Sequence, residues 1–252
     1  MRVLVLGGTT EASALAGLLA GDARFDATLS LAGRTSAPRA QPLATRVGGF
    51  GGIDGLVRWL RAANVGAVID ATHPYAARMS ANAVAACAQT GLPLGSVVRQ
   101  PWQQRKDDNW CVVPTAEAAA AALGRMPLRV LLSLGRQELH AFAAAPQHHY
   151  VARTIEPPLQ AALPPDLKLL QARGPFDRDS EMRLLKTDKI DIIVSKNSGG
   201  SATYAKIEAA RELDLPVIMI ARPVKPAGHI LDGPQEALAW LHGRAPASRR
   251  GV

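Results

Sequence analysis

Arg2-Val3-Leu4-Val5-Leu6-Gly7-Gly8-Thr9-Thr10-Glu11-Ala12 reads as a strand, a glycine turn and the first turn of a helix. A helix is expected over 11–19, followed by a second β-rich run at 26–31. The pattern recurs. Strands are expected at 67–70 and 94–98, with a short one inside 45–52, and helices at 53–63 and 75–89. Such alternation implies βαβ units and a parallel sheet covered by helices on both faces. A second series begins after Pro127, with strands at 128–134, 150–155, 167–172, 191–195 and 216–220. Its helices are expected at 138–144, 178–187, 201–213 and 234–241. Residues 107–113 suit either an edge strand or the segment crossing between the two series. The fold class is α/β, with two mainly parallel sheets of about five strands each rather than one of about ten. The boundary is placed near Val113, giving domains 1–113 and 114–252, with 243–252 as a frayed tail.

Composition narrows the classes of function. Of 252 residues, 48% are hydrophobic and 20% charged, which is too apolar for a disordered chain. No run of about 18 apolar residues exists, so no transmembrane helix is expected. The first residues lack the long apolar region and cleavage site of a secretory signal, and a cytoplasmic enzyme is expected. Cys87 and Cys111 form no CxxC and cannot build a zinc site alone; both are expected as packed, reduced thiols, and no metal site is read. Lys and Arg number 29 against 21 Asp and Glu, a balance of +8 that favours an anionic partner. Scarce aromatics, 4%, and the lack of long like-charge runs argue against nucleic acid. With no apolar surface pattern, a monomer is the default.

Ligands of open parallel sheets bind at the carboxyl ends of the strands, so the residues after each strand carry the most information. After the first strand, Gly7, Thr9 and Ala12 occupy the positions of a degraded G-x-G-x-x-G/A turn, which lets backbone amides approach a phosphate. A ligand-free turn has the same composition, and Glu11 is an awkward neighbour for phosphate. Where an acid normally accepts the ribose hydroxyls of NAD, this chain has Arg34-Thr35-Ser36, which suits the extra 2′-phosphate of NADP. Alone, Arg34 reads equally as a solvated arginine. Asp70-Ala71-Thr72-His73-Pro74-Tyr75 closes the third main strand and places Thr72 and His73 at the ligand edge, although His73 also suits a helix cap or a contact between domains. Arg78 follows one turn later and Arg99 lies beyond the 94–98 strand.

In the second half, Ser195-Lys196-Asn197-Ser198-Gly199-Gly200-Ser201 is a candidate anion cradle or an ordinary βα turn. The lysine precedes the glycines, so it is not a Walker A loop. Gly135-Arg136 ends the first strand of that half. His148-His149 reads as surface, because neighbours on a strand point to opposite faces. No GxSxG, HExxH or nucleophile with a paired base is present, which leaves hydrolase readings without residues to carry them.

Gly7-Gly8-Thr9-Thr10-Glu11, Asp70-Ala71-Thr72-His73-Pro74-Tyr75-Ala76, Arg173-Gly174-Pro175-Phe176, Ser195-Lys196-Asn197-Ser198-Gly199 and Arg222-Pro223 together resemble the precorrin-6A reductase family of the cobalamin pathway. The likeness runs from the first strand to about Pro223, and Asp-Ala-Thr-His-Pro is its most specific motif. The resemblance implies two Rossmann-like domains with NADPH and a tetrapyrrole in the cleft between them. It implies hydride transfer to a C=N or C=C unit of the macrocycle, with a proton added nearby, giving precorrin-6B. A substrate rich in carboxylates agrees with the basic balance.

The resemblance also distributes roles. Gly7, Gly8, Thr9, Thr10 and Glu11 form the pyrophosphate turn, and Arg34, Thr35 and Ser36 take the 2′-phosphate. Thr72, His73 and Tyr75 line the nicotinamide end. Gly135, Lys196, Asn197, Ser198 and Gly199 approach from the second domain, binding the cofactor or a substrate carboxylate. Arg78, Arg99, Arg136 and Gly200 are substrate-side candidates. The proton source stays open among His73, Tyr75, Lys196 and water. Two rival readings are a non-catalytic dinucleotide or metabolite sensor and a reductase of a smaller unsaturated acid.

Overall fold

A computed structural model describes residues 1–33, 39–158 and 163–245 of the chain. The chain divides into two units, Met1–Arg99 with Pro223–Val252, and Gln100–Arg222. The first unit opens with β1 (Arg2–Leu6), α1 (Thr10–Ala20), β2 (Asp26–Leu31), β3 (Ala44–Val47), α2 (Gly52–Ala62), β4 (Ala67–Asp70), α3 (Ala77–Thr90) and β5 (Leu94–Val97). The second contains β6 (Trp110–Val113), α4 (Ala116–Ala122), β7 (Arg129–Ser133), a 3₁₀ segment (Arg136–Ala144), β8 (His149–Thr154) and β9 (Leu167–Gln171). It continues through α5 (Arg178–Thr187), β10 (Ile192–Lys196), α6 (Ala205–Glu212) and β11 (Val217–Ile220). The chain then returns to the first unit as β12 (His229–Leu231) and α7 (Pro234–His242).

Among the described residues each sheet has six strands, in the orders β3-β2-β1-β4-β5-β12 and β9-β8-β7-β10-β11-β6, and all their pairings are parallel. Parallel strands covered on both faces need apolar residues throughout, and Val3, Leu4, Val5 and Leu6 are each at most 2% exposed. On one face, Val3, Val5 and Leu29 pack with Leu15 and Leu19 of α1 and with Ala237 and Leu241 of α7. On the other, Leu4 and Leu6 meet Leu56 and Leu60 of α2 and Ala83 and Cys87 of α3. The second sheet places Leu131, Val151 and Ile193 against Leu185 of α5 and Ile207 of α6. No helix among the described residues is long and apolar enough to cross a membrane.

The boundary expected at Val113 lies at Arg99/Gln100, because 110–113 pairs with β11 (Trp110 with Val217) and belongs to the second sheet. Nor does the second domain run to the end of the chain. β12 pairs with β5, so the last described residues complete the first sheet. β12 and α4 were not expected from the sequence: His229–Leu231 is too short to register as a β-rich run, and the alanines of α4 carry little amphipathic signal. The 138–144 helix is a 3₁₀ segment, and Tyr75 lies in the turn before α3. Cys87 is packed as expected, its thiol pushed up to about 11 by burial, whereas Cys111 is exposed on the edge strand β6. His148, expected at the surface, is buried, and its Nδ1 accepts from the Leu128 N–H at 3.2 Å. Of the expected tail, residues 246–252 lie outside those described.

The return segment is seated tightly. A Cβ on Gly228 would overlap the Leu94 carbonyl, and the Gly228 N–H donates to Ser96 Oγ at 2.9 Å. Gly228→Ala should therefore lower unfolding stability by about 1–3 kcal/mol, as overpacking against fixed backbone does. Urea unfolding measures this, and an unchanged midpoint would mean that β12 does not depend on this contact.

Candidate functional site

In sheets of order 3-2-1-4-5-6, the ligand crevice lies outside the carboxyl ends of the two strands at which the order reverses. Here those strands are β1 and β4 in the first unit and β7 and β10 in the second.

In the first unit, β1 runs into Gly7, whose N–H donates to the Ser30 carbonyl at 2.9 Å. A Cβ on Gly7 would stand 2.6 Å from Leu29 Cδ1, so a side chain there would have to displace the buried Leu29. Gly8 has φ +109°, and nothing lies within 4 Å of where its Cβ would be; its outward face is open backbone. Thr9 is the N-cap of α1. Its hydroxyl accepts from the Ala12 N–H at 3.1 Å and donates to the Ala71 carbonyl at 2.8 Å, which ties the helix start to the end of β4. Burial pushes the Glu11 carboxyl up, but the Arg99 hydrogen bonds and charge, a backbone hydrogen bond and the Thr10 hydroxyl together outweigh it and hold the group below the usual carboxylate range. Arg99 Nε donates to Glu11 Oε1 at 2.7 Å, and Nη2 donates to Oε2. Arg99, expected on the substrate side, neutralises the acid that made this turn awkward for phosphate.

At the end of β4, Asp70 is buried and carries the geometry. It accepts from the Thr72 N–H (3.0 Å), the Thr72 hydroxyl (2.6 Å) and the Ser80 hydroxyl on α3. Lys225, on the return segment, donates to Thr72 Oγ1 (3.1 Å) and to the Thr72 carbonyl (3.3 Å), and lies 3.5 Å from Asp70 Oδ2. The Thr72 hydrogen is thus spent on Asp70. The Tyr75 N–H donates to His73 Nδ1 at 3.3 Å, which leaves Nε2 to carry the proton of the neutral ring. The His73 and Tyr75 rings stand 5.6 Å apart, both half-buried. Arg78 is exposed at the start of α3.

In the second unit, Lys196 is not a free cation. Its ammonium contacts Glu138, whose other oxygen accepts from the Gly135 N–H at 2.9 Å. Arg136 donates to Glu156 Oε2 at 3.1 Å. The Asn197 side chain pairs with Trp102 as a strand would: Oδ1 accepts from the Trp102 N–H at 2.8 Å and Nδ2 donates to its carbonyl at 2.9 Å. The Trp102 indole donates to the Gly200 carbonyl at 2.8 Å. Ser198, Gly199 and Gly200 complete the turn, with φ +67° and +69° at the two glycines. Deeper in this unit, Arg153 and Glu181 form a buried ion pair, and Lys206, 4% exposed, donates to the Thr203 carbonyl at 2.7 Å and faces the Trp102 ring. Burial drives the Lys206 pKa down to about 7; Glu181 opposes the shift and Arg153 adds to it.

The family model for precorrin-6x reductase, CbiJ/CobK, matches residues 2–242. The chain belongs to this family. It is 53% identical to the precorrin-6A reductase of Rhodobacter capsulatus, covering 100% of this chain and 99% of that one. It is 50% identical to a precorrin-6A reductase of Sinorhizobium sp, over 90% and 86% of the two chains. The solved structure of CobK precorrin-6A reductase superposes with a TM-score of 0.92 at 52% identity, over 100% of both chains.

The expected residues of this reductase thus gather at two sheet edges. Gly7 to Glu11, Thr72, His73, Tyr75, Arg78 and Arg99 belong to the first unit; Gly135, Arg136 and Lys196 to Gly200 belong to the second. Arg34, Thr35 and Ser36 lie outside the described residues. Lys225, Glu138 and Lys206 were not singled out in the sequence. Only Glu138 left a local signal, an acid three residues after the glycine that precedes its helix. Lys225 reaches Thr72 across 153 residues of sequence, which no local pattern reports.

Because the folded pKa of Lys206 lies below the ordinary lysine value of 10.5, the unfolded state binds more protons between about 7 and that value, and stability rises with pH over this window. Lys206→Met should be more stable than the wild type at pH 7 and below, with the advantage shrinking as pH approaches 10. Thermal melts across that range test it, and a constant difference would mean that Lys206 titrates normally.

Proposed function

We propose that this oxidoreductase reduces the macrocycle of precorrin-6A with NADPH bound at the carboxyl edge of the first sheet. The observation that carries the cofactor reading is the glycine turn at the β1/β4 reversal point, with its open Gly8 and its acid neutralised by Arg99. These residues fit a dinucleotide diphosphate: backbone can approach closely, α1 directs its positive end there, and no bare carboxylate opposes it.

In this reading the backbone of Gly7, Gly8, Thr9 and Thr10 holds the diphosphate, the Thr9 side chain serving as the strut that fixes the turn. Arg34, Thr35 and Ser36 take the 2′-phosphate. Thr72, His73 and Tyr75 bound the nicotinamide end, with Asp70 and Lys225 setting the backbone of Thr72. When bound, NADPH supplies the hydride to the macrocycle, and the protein contributes alignment and a proton. His73 through Nε2, Tyr75 through its hydroxyl, and Lys196 are the protein groups offered for that proton. Arg78, Arg136 and the Lys196–Gly200 turn serve the substrate carboxylates. Its free thiols suit a reducing, cytoplasmic setting, with the chain acting as a monomer.

Titration with NADPH and NADH, followed by nicotinamide fluorescence at fixed ionic strength, tests the reading. Saturable NADPH binding is expected, with NADH at least about tenfold weaker; no binding of either would overturn it. Arg34→Ala should cost NADPH about 1.5–3 kcal/mol and leave NADH nearly unchanged, whereas equal losses would remove Arg34 from the site. Lys196→Ala should raise KM or lower kcat for the macrocycle while the fold stays intact by circular dichroism. Unchanged kinetics would make its pairing with Glu138 purely structural.

A further inference from the structure

Arg46 lies opposite Ser30 in the β2–β3 register. Its Nη1 donates to Ser30 Oγ at 2.7 Å and to the Gly48 carbonyl at 3.0 Å, and its Nη2 donates to the Gly49 carbonyl at 3.1 Å. The guanidinium carbon stands 3.8 Å from the centre of the Phe50 ring. A guanidinium has five N–H donors. Three are spent here, which leaves Nε–H and one Nη2–H.

All three acceptors are neutral. Among the described residues no carboxylate forms an ion pair with Arg46, whereas Arg99, Arg136 and Arg153 each have one. Burial lowers the pKa of Arg46, as expected of a charge drawn partly out of water without a counter-ion. A half-buried cation whose partners are all neutral still favours an anion beside it. Its position names the anion. Ser30 is the penultimate residue of β2, and the end of the second strand is where this sheet order holds the adenosine ribose. A Cβ on Gly33 would stand 3.6 Å from Gly48 Cα, so the chain leaving β2 runs against the loop that Arg46 braces.

We infer that Arg46 is a specificity-determining residue for the ribose 2′-phosphate, which it meets with the unspent Nε–H and Nη2–H. The inference rests on the NADPH reading above and adds to it a cation held rigidly by sheet and loop. The Phe50 face and the three backbone and hydroxyl acceptors fix the guanidinium before ligand arrives, so little ordering remains to be done on binding. A lysine offers neither the fork nor the stacking plane.

The test is equilibrium binding of NADPH and NADH to the wild type, Arg46→Gln and Arg46→Lys. Arg46→Gln should weaken NADPH by about tenfold or more and change NADH by less than about twofold, with Arg46→Lys between. Equal weakening of both cofactors, or none, overturns the inference. A wild type that binds NADH as tightly as NADPH removes the cofactor reading, and the inference falls with it. Should Arg46→Gln fail to fold, side-chain NMR of the wild type decides. The Arg46 Nε resonance, assigned from the Arg46→Lys spectrum, should move with 2′,5′-ADP and not with 5′-ADP. A resonance indifferent to both, or moved equally by both, overturns the proposal.

Discussion

Parallel strands cannot be joined by hairpins, so every neighbour in these sheets arrives by a crossover that must span the sheet. That constraint shapes the whole chain. Each sheet grows from a central strand, β1 or β7, in the order 3-2-1-4-5, and its sixth place is filled by chain from outside that local series. β6 joins the second sheet before that sheet's own series begins, and β12 completes the first sheet after the chain has finished the second. The first unit is consequently discontinuous in sequence, and its core depends on Leu231, Ala237 and Leu241 as much as on Val3 and Val5.

The same route through space supplies the ligand edge. The segment that carries β12 back also brings Lys225 to Thr72 and Asp70, beside the turn at which β1 ends. Asp70 is buried, accepts hydrogen bonds from Thr72 and Ser80, and has the Lys225 ammonium 3.5 Å away as its counter-ion, so the β4 terminus is a polar network rather than a loose loop. Thr9 closes the circuit by bonding Ala71. Residues that look like ligand donors in the sequence are in several cases the struts of that edge. Thr72, Thr9 and Asn197 spend side-chain hydrogen bonds on backbone or on Asp70, and what they present outward is the backbone they fix.

Charge pairing separates the basic residues in a way that composition does not. Arg99, Arg136 and Lys196 all stand at strand ends, and all contact an acid: Glu11, Glu156 and Glu138. Arg46 is bonded to neutral acceptors, and Lys206 sits buried among Arg153, Glu181 and the Trp102 ring. A net charge of +8 says that an anionic partner is favourable. Only the pairing says which cations are available to meet it.

The α/β class, the two series of strands, most helix positions, the three strand-end motifs at Gly7, Asp70 and Lys196, and the family they resemble are all legible in the order of residues. These features are local: strand and helix periodicity, glycine at a strand-to-helix turn, and short motifs in fixed order. Folding is what assigns 110–113 to the second sheet, returns the chain to add β12 and α7 to the first unit, and brings Lys225 to Thr72. A short parallel strand has the same composition in either sheet, because its place is set by side chains and registers far away in sequence. An arginine likewise reads the same whether a carboxylate answers it or not, until folding brings the two together or keeps them apart.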